Sequence, residues 1–287
     1  MAIWNLGSVN IDHVYTLPHF PAPGETLSST GYDSGLGGKG ANQSVAAAQA
    51  GAKVWHMGAI GHDGLWAREV LELKGVDLEH LEIVDVPTGH AVIYVDGSGE
   101  NSIVIFPGAN HAVSVEALDK ASPEDWLLLQ NETTLVTEAA KAAKDAGLKV
   151  AYVAAPFEAE AAQAVLPHVD LLMVNEGEAA ALAEAVGKDP LDLPVPMLLI
   201  TYGAKGATFR GPEGSIETPA FHVKPVDTTG AGDTFSGYFL AALDLGAAPA
   251  EALRRASAAA ALQVTRHGAV EAIPSAAEVD DFLKENA

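Results

Sequence analysis

The stretch V-D-T-T-G-A-G-D-T-F-S-G at residues 226–237 decides how this chain is organised. Its three small residues are Gly230, Ala231 and Gly232. The acid Asp233 follows them, and a helix is predicted to begin directly after it. Small residues leave backbone N–H groups unobstructed, and the positive end of the helix dipole points at the same turn. A carboxylate there can accept a proton from a hydroxyl while the amides hold a phosphoryl group. A glycine-rich strand-to-helix turn capped by Asp233 explains the same residues, so both interpretations are open.

Composition excludes several classes of protein. The 287 residues contain no cysteine, which excludes disulfides, thiol nucleophiles and cysteine-ligated metal. The 16 Lys and Arg against 38 Asp and Glu give a formal net charge of −22, which disfavours nucleic acid and anionic membranes as partners. No basic segment followed by a long apolar run opens the chain, so we expect a cytoplasmic protein.

Most of the chain alternates apolar runs with Ala-rich amphipathic segments. The predicted strands of this part are 2–9, 53–60, 127–130, 149–154, 171–175 and 197–202, with an antiparallel pair at 206–210 and 215–221. The predicted helices are one that ends near residue 51 and those at 64–74, 134–146, 159–166, 178–186, 234–245, 249–264 and 276–284. This pattern is typical of an α/β domain with a doubly wound, mostly parallel central sheet flanked by helices. We expect a single such domain over residues 1–287.

A second group of β segments is too polar or too short for that sheet. A polar strand is predicted at 26–33, and a hairpin at 89–95 and 102–106 is joined by the turn D-G-S-G-E-N. These segments contain too few apolar residues to be buried on both faces of a sheet. We therefore predict a small β-sheet lid formed by about 12–36 and 88–107.

The predicted lid also raises the question of self-association. One apolar face could pair with the same sheet of a second subunit and bury Ile93, Val95 or Ile103 in a two-fold interface. A lid that folds only over its own active site is the alternative.

A glycine-rich segment, G-L-G-G-K-G-A-N-Q-S at 35–44, precedes the first helix. It contains G-x-G-x-x-G, but a dinucleotide fingerprint places its glycines directly after the first strand, and here a long irregular stretch intervenes. It is not a Walker A loop, because Gly40 rather than Ser or Thr follows Lys39. A flexible backbone that approaches a small polyol, with Lys39 and Asn42 adding a charge and an amide, explains the segment better. A purely structural helix entry explains the glycines but not Lys39.

Four short motifs follow one another along the chain. They are N-x-D at 10–12, G-G-K-G-A-N at 37–42, N-x-x-E at 175–178 and D-T-T-G-A-G-D at 227–233. Together they resemble the ribokinase family of sugar kinases, also called the PfkB family, over nearly the whole chain. The resemblance implies a ribokinase-like fold and transfer of the γ-phosphate of ATP to a primary hydroxyl of a small sugar, with D-ribose as the first choice.

The resemblance also implies roles for individual residues. Asp233 would be the general base, and the amides of Gly230, Ala231 and Gly232 would form the anion hole for the γ-phosphate. The residues expected to bind sugar hydroxyls are Asn10, Asp12, Gly38, Lys39, Asn42, Glu132 and Asp233. The residues expected to contact ATP are Asn175, Thr201, Gly203, Lys205, Gly206, Gly232 and Ser257.

Two cations follow from the same resemblance. Glu178 of the N-x-x-E motif would hold Mg²⁺ through water. An N-cap at Asn175 with a capping-box-like acid is the alternative explanation of the motif, and both can hold together. A monovalent cation, K⁺ as an activator, would lie beside the anion hole. Its ligands would be Asp227 and oxygens of Thr229, Gln263, Arg266, Gly268 and Ala272.

The chain departs from the family pattern at three places. V-A-A-P at 153–156 lacks the usual Asn, Ala272 stands where a Ser is expected, and Ser257 replaces a larger residue that would face the adenine. The substrate is therefore open, and a nucleoside or another furanose or keto-sugar is the alternative acceptor. A non-catalytic regulator that binds sugar or nucleotide is a further alternative. An NAD-binding oxidoreductase is supported only by the isolated G-x-G-x-x-G.

Overall fold

The computed structural model describes residues 1–286, and its strands form two sheets. The strands are β1 (Ile3–Leu6), β2 (Asn10–Thr16), β3 (Gly31–Gly37), β4 (Val54–Gly61), β5 (Leu81–Val84), β6 (Gly89–Val95), β7 (Asn101–Phe106), β8 (Trp126–Leu129), β9 (Lys149–Val153), β10 (Leu171–Asn175), β11 (Met197–Thr201), β12 (Ala207–Gly211) and β13 (Gly214–Thr218). The helices are α1 (Lys39–Gln49), α2 (Leu65–Leu73), α3 (Val136–Asp145), α4 (Ala159–Val165), α5 (Glu176–Val186), α6 (Ala231–Asp244), α7 (Pro249–Gln263) and α8 (Ala276–Glu285).

The large sheet has nine strands in the order β13-β12-β11-β10-β9-β8-β1-β4-β5. All its pairs are parallel except β11 with β12 and β12 with β13, so the predicted mostly parallel sheet with an antiparallel edge is confirmed. Its strands are apolar on both faces. Leu171 and Met173 pack on one side with α1, α6 and α7, while Leu172 and Val174 pack on the other with α3, α4 and α5. The helices therefore cover both faces, as the doubly wound prediction required.

The small sheet has four strands in the order β3-β2-β6-β7. The predicted hairpin is confirmed, because β6 and β7 pair antiparallel with Ile93 opposite Ile103. The polar strand expected at 26–33 was placed wrongly, since β3 runs over Gly31–Gly37. Strand β3 continues into the glycine-rich segment, which was predicted to be a flexible backbone before the first helix.

The first strand is shorter than predicted. It ends at Leu6 rather than at residue 9, because α1 approaches the chain at Gly7, where an added Cβ would lie 2.5 Å from the Cα of Gly40. The chain turns there and enters the small sheet at Asn10. Asn10 and Asp12 thus lie on β2 of the small sheet and not at the end of the first strand.

Two helices start earlier than the sequence suggested, and two strands, β2 and β5, were missed. Helix α6 begins at Ala231 because the left-handed backbone of Gly230, with φ 72°, completes the turn before it, so Asp233 lies inside the first helical turn. Helix α5 begins at Glu176 with Asn175 as its N-cap. The unpredicted strand β5 has four residues with only Leu81 buried, which leaves little hydrophobic pattern to detect.

Helices α1 and α6 pack against each other on the face of the large sheet that carries the larger share of helices. Gly237 permits this contact: a Cβ on Gly237 would lie 2.6 Å from the Cβ of Ala46 and 2.7 Å from the carbonyl oxygen of Gln43. Within residues 1–286 no helix has both the length and the hydrophobicity needed to cross a lipid bilayer.

Replacement of Gly237 should therefore be costly. We expect Gly237→Ala to lower the free energy of unfolding by about 1–3 kcal/mol, because the methyl group has to push the two helices apart. Urea unfolding followed by circular dichroism measures the change. Gly177→Ala in α5 is the matched control, since its Cβ meets only Asn175 Oδ1 at 3.4 Å, and it should be neutral or stabilising by about 0.4–1 kcal/mol. Equal destabilisation of the two variants would contradict the close helix contact.

Candidate active site

A cleft of about 170 Å³ opens where α1 and α6 begin and β10 and β11 end. This is the carboxyl edge of the parallel strands, at which open α/β sheets bind ligands. The predicted site residues that line the cleft are Lys39, Asn175, Glu178, Thr201, Gly230, Ala231, Gly232 and Asp233. The structure thus brings residues predicted for the sugar, for ATP and for catalysis to one place.

Asp233 is the buried acid of this cleft, with 9% of its surface exposed. Its Oδ2 accepts a hydrogen bond from Asn42 Nδ2 at 2.9 Å, and its Oδ1 accepts one from Gln43 Nε2 at 2.8 Å. Two amide donors therefore fix the orientation of the carboxylate. Each oxygen keeps a lone pair that can accept a further proton.

A buried polar chain extends from this acid through Gln43. Gln43 Oε1 accepts a hydrogen bond from Gln130 Nε2 at 2.8 Å, and the same amide donates to Asn5 Oδ1 at 2.9 Å. Asn5 donates to Ser44 Oγ, which lies 2.8 Å from Nδ1 of the fully buried His56. Sequence analysis missed these residues. Only Gln43 carried a signal, since it follows Asn42 in the glycine-rich motif.

The turn before Asp233 leaves space for an anion. Gly230 is the N-cap of α6 in a left-handed conformation that disfavours side chains. An added Cβ on Gly232 would find no atom within 4 Å, so the cleft is open in front of this residue. The first N–H groups of a helix have no acceptor within it. In α6 the N–H of Ala231 donates to the carbonyl oxygen of Thr228 at 3.3 Å, whereas the N–H of Gly232 has no acceptor among the described residues and is available to a bound ligand.

Lys39 and Glu132 meet at the start of α1. The backbone N–H of Lys39 donates to Glu132 Oε2 at 2.9 Å, and Ser8 Oγ donates to the same oxygen. Burial alone would lower the pKa of the Lys39 amine, but nearby carboxylates, foremost that of Asp233, raise it. Lys39 is therefore a firmly charged cation among acids.

Asn10 and Gly38 flank the same helix start. Asn10 is buried, and its Oδ1 accepts from Asn110 Nδ2 at 2.7 Å, while Asn110 Oδ1 accepts from the N–H of Val9. Gly38 has φ 92°, and a Cβ there would lie 2.9 Å from the backbone nitrogen of Asn10. The glycine thus lets β2 and α1 meet. Asn110, which sequence analysis missed, positions the Asn10 side chain.

Asp12 lies on β2 close to these groups. Its burial, followed by the negative charges of Glu132 and Glu271, raises the pKa of its carboxyl group to about 7, against a smaller opposing effect of Lys39. Glu271 was not predicted as part of the site, although its neighbour Ala272 was predicted as a cation ligand.

The other predicted ATP residues surround the cleft at a greater distance. Gly206, with φ 111°, packs against Thr218 and Pro219, and Ser257 Oγ donates to the carbonyl of Pro219 at 3.4 Å. Lys205 is exposed and pairs with Glu176 at 3.2 Å. Gly203, Lys205, Gly206 and Ser257 do not line the cleft, whereas Thr201 does.

Asn175 and Glu178 form a complete capping box. Asn175 Oδ1 accepts from the N–H of Glu178, and Glu178 Oε2 accepts from the N–H of Asn175, both at 2.9 Å. Burial raises the pKa of Glu178 above its ordinary value, against hydrogen bonding by Asn175 and the charge of Lys39. Within residues 1–286 no group of three or more acids and histidines is arranged to hold a metal directly. One carboxylate beside a phosphate site fits Mg²⁺, which keeps several waters and takes few protein ligands.

The residues predicted to bind K⁺ also lie together, but they are already hydrogen bonded to each other. Asp227 accepts from the N–H groups of Thr229 at 2.9 Å and Gly268 at 3.0 Å. Burial would raise the pKa of Asp227, but these bonds lower it. The carbonyl oxygens of Thr229 and Gly268 both accept from the side-chain amide of Gln263. While the Gln263 amide lies between these two carbonyl oxygens, the predicted ligands do not fit a cation.

The chain is similar to known carbohydrate kinases over nearly its whole length. Residues 3–276 match the pfkB family of carbohydrate kinases. The chain is 39% identical to a ribokinase of Haemophilus influenzae, with 97% of each chain covered. A ribokinase of Cryptococcus neoformans in complex with ADP has a TM-score of 0.87 at 36% identity and 98% coverage of both chains. A ribokinase of Arabidopsis thaliana complexed with ribose and ATP has a TM-score of 0.87 at 32% identity and 99% coverage of both.

The raised pKa of Asp12 predicts a dependence of stability on pH. In the unfolded chain this carboxyl group loses its proton near its ordinary pKa of 3.8, well before the folded state does at about 7. Its contribution to folding is therefore greatest below about pH 4 and is lost as the pH rises to about 7. Asp12→Asn removes this loss. We expect the variant to gain on the order of 1 kcal/mol over the parent at about pH 8, or ~3 °C in Tm, and less at about pH 5.

Differential scanning fluorimetry at both pH values measures this difference. Asp33→Asn is the matched control, because it changes an exposed acid on the neighbouring strand β3 and should show no pH-dependent gap from the parent. If the Tm difference for Asp12→Asn were the same at both pH values, burial of a charged Asp12 would not be the cause.

Proposed function

This chain belongs to the pfkB family of carbohydrate kinases, and we propose that it transfers the γ-phosphate of ATP to a primary hydroxyl of D-ribose, giving ribose 5-phosphate. Its membership makes it an ATP-dependent sugar kinase. Ribose as the acceptor is supported by the similarity to ribokinases over almost the full length of both chains.

One observation carries the proposed mechanism: the Asp233 carboxylate, held by two amides, lies in the first turn of the helix whose N-terminus faces the cleft. In the proposed reaction a carboxylate oxygen of Asp233 accepts the proton of the sugar hydroxyl, and the hydroxyl oxygen attacks the γ-phosphorus of ATP. The bond to the β-phosphate oxygen breaks, and ADP leaves. The amides of Gly230, Ala231 and Gly232 stabilise the charge on the transferring group.

Sugar recognition is assigned to the groups around the start of α1. Asn10, Asp12, Asn42 and Glu132 supply fixed oxygen and nitrogen atoms for hydroxyls, with Gly38 allowing close approach. Asn42 fits this role, because its Oδ1 is buried and has no hydrogen-bond partner among the described residues. A row of such groups discriminates against analogues that lack one hydroxyl, because a buried polar group would stay unpaired. Lys39, positively charged beside Asp233, is placed to attract the phosphate and to orient the sugar.

ATP is assigned to the other side of the cleft. Thr201 and Asn175 lie at the ends of β11 and β10, and the loop at 203–206 with Ser257 is proposed to hold the nucleoside farther out. Glu178 would hold Mg²⁺ through water, and a bound Mg²⁺ neutralises charge on the phosphates. Val153 and Ala155 line the cleft where the family pattern has a polar residue, so no side chain of 153–156 supplies that contact.

Two alternatives stay open within this proposal. The first keeps the phosphoryl transfer but has a nucleoside or another furanose or keto-sugar as the acceptor beside Lys39. A regulator that binds sugar and nucleotide without turnover is disfavoured by the complete set of Asp233, its two amide donors and the open turn. The cytoplasmic location expected from the sequence remains a prediction.

Replacement of the proposed base tests the mechanism. We expect Asp233→Asn to lower kcat by about 10²-fold or more, because the amide cannot accept the proton. Asp244→Asn is the matched control. Asp244 is a buried acid on the same helix, outside the cleft, whose oxygens have no partner among residues 1–286 and whose pKa is raised by burial. It should keep activity near that of the parent.

The assay is ADP release with Mg²⁺-ATP across ribose, 2-deoxyribose, other pentoses, ketohexoses and nucleosides. Preference for ribose by kcat/KM is the expected result. Preference for another acceptor would support the kinase activity but contradict ribose as the substrate. Unchanged turnover in Asp233→Asn would overturn the assigned base, and ATP binding without turnover of any acceptor would favour the regulator.

We also propose a homodimer formed through the small sheet. Strand β7 is an edge strand that is exposed along its whole length, with Ile103 51%, Val104 60% and Ile105 56% exposed. An apolar edge of this kind usually pairs with another surface. Ile93 and Ile103 lie opposite each other, so they form one continuous apolar face for a second copy.

A charge in this face should separate the subunits. We expect the parent to sediment as a dimer at micromolar concentration and Ile103→Glu as a monomer, because the dimer would bury the carboxylate without a partner. Leu73→Glu, which changes an apolar residue 87% exposed at the end of α2, should remain dimeric. A monomeric parent would rule out the interface.

A further inference from the structure

A single buried amide holds three carbonyl groups directly behind the anion hole. Gln263, the last residue of α7, has none of its surface exposed. Its Nε2 lies 3.1 Å from the carbonyl oxygen of Thr229, 3.3 Å from that of Gly268 and 2.9 Å from that of Ala269. Three carbonyl oxygens from two separate loops thus converge on one atom.

The environment fixes which end of the amide faces these carbonyls. An amide has one donor end and one acceptor end, and an oxygen placed among three carbonyl oxygens would be repelled. The other end, Oε1, is buried and has no hydrogen-bond partner among the described residues. The protein therefore leaves one buried acceptor unpaired while it keeps a donor at the carbonyl centre.

The convergence point coincides with the place expected for a monovalent cation. The carbonyls of Thr229 and Gly268 are two of the oxygens that the sequence assigned to K⁺. Inward-pointing carbonyl oxygens replace the hydration shell of K⁺ where proteins bind it. Here the positive end of a neutral amide dipole occupies the point on which they converge, and an ion cannot share it.

Three of the remaining predicted ligands are also satisfied from within the chain. The carbonyl of Gln263 accepts from the N–H of Arg266 at 3.1 Å, and the carbonyl of Ala272 accepts from Arg266 Nη1 at 3.5 Å. Ala272 offers no side-chain oxygen. Asp227 already accepts two backbone N–H groups. These three have protein donors in place of an ion, and the carbonyl of Arg266 is the one predicted ligand that accepts no hydrogen bond from the described residues.

The amide also touches the catalytic turn. A Cβ on Gly230 would lie 3.4 Å from Gln263 Nε2 and 3.6 Å from Asn42 Nδ2, so Gln263 packs behind the N-cap of α6. By tying Thr229 to Gly268 and Ala269, it fixes the loop that shapes the anion hole. A bound cation would order the same loop by the same contacts.

We propose that the Gln263 side-chain amide takes the place of the monovalent cation and makes the anion hole independent of K⁺. This inference rests on the proposed kinase function for its catalytic consequence, but the occupation of the centre is independent of it. It revises the expectation that K⁺ activates this protein. Gln263 is a positioning residue, since it acts through Thr229 and Gly230.

The test compares KCl, NaCl and choline chloride at one ionic strength of about 0.1 M. For the parent we expect kcat to differ by less than about 2-fold and Tm by less than about 1 °C among the three salts, because no ion enters the centre. Gln263→Ala opens the carbonyl centre. In this variant K⁺ should raise Tm by about 3 °C or more over choline and raise kcat by about 10-fold.

Two further variants keep the test decisive. Gln263→Glu retains the shape of the side chain but places a carboxylate among the carbonyls, so it should also acquire a K⁺-dependent Tm if Gln263→Ala folds poorly. Gln130→Ala removes another buried glutamine, remote from the carbonyl centre, and is the control for a general loss of stability. It should show no preference for K⁺ over choline.

Each outcome separates this inference from the proposed function. A parent whose Tm or kcat rises with K⁺ would overturn the inference even if the protein is a ribose kinase. Salt-independent behaviour of the parent and of both Gln263 variants would also overturn it, since the centre would then never take a cation. A K⁺-dependent Tm confined to the Gln263 variants would support it even if every sugar failed as substrate.

Discussion

The contact between the first turns of α1 and α6 is the interaction on which the site depends. Asn42 and Gln43 of α1 donate to the two oxygens of Asp233 on α6, and Gly237 lets the helices come close enough for these bonds. Both helices begin after glycines with positive φ, so two positive helix ends face one cleft. In a chain with a net charge of −22, this arrangement supplies the local positive field that a phosphate needs.

The same cleft concentrates acids around one cation. Lys39 interacts with the carboxylates of Asp233, Glu132, Glu178 and Asp12, which together keep its amine charged. Burial affects the acids unequally: the pKa of Asp12 rises to about 7, whereas hydrogen bonds hold Asp227 below its ordinary pKa. Burial of the Asp12 carboxyl group thus reduces the stability of the protein at neutral pH.

Behind the turn that precedes Asp233, we propose that an uncharged dipole performs a task that an ion can also perform. Gln263 links the loop of Thr229 to that of Gly268 and Ala269 through backbone oxygens. A covalently attached amide needs no ion from solution, and its place is set by the end of α7.

Sequence alone determined the alternating strands and helices, the hairpin of the small sheet, the family motifs and the acid Asp233, because apolar periodicity and glycine spacing are local properties. It misplaced β3. It also misplaced the end of β1, where α1 approaches Gly7, and the start of α6, where Gly230 adopts a left-handed conformation. Gln130, Asn110 and Glu271 reach the site only through tertiary folding. The orientation of the Gln263 amide was likewise decided there, because three carbonyls from two loops select its donor end.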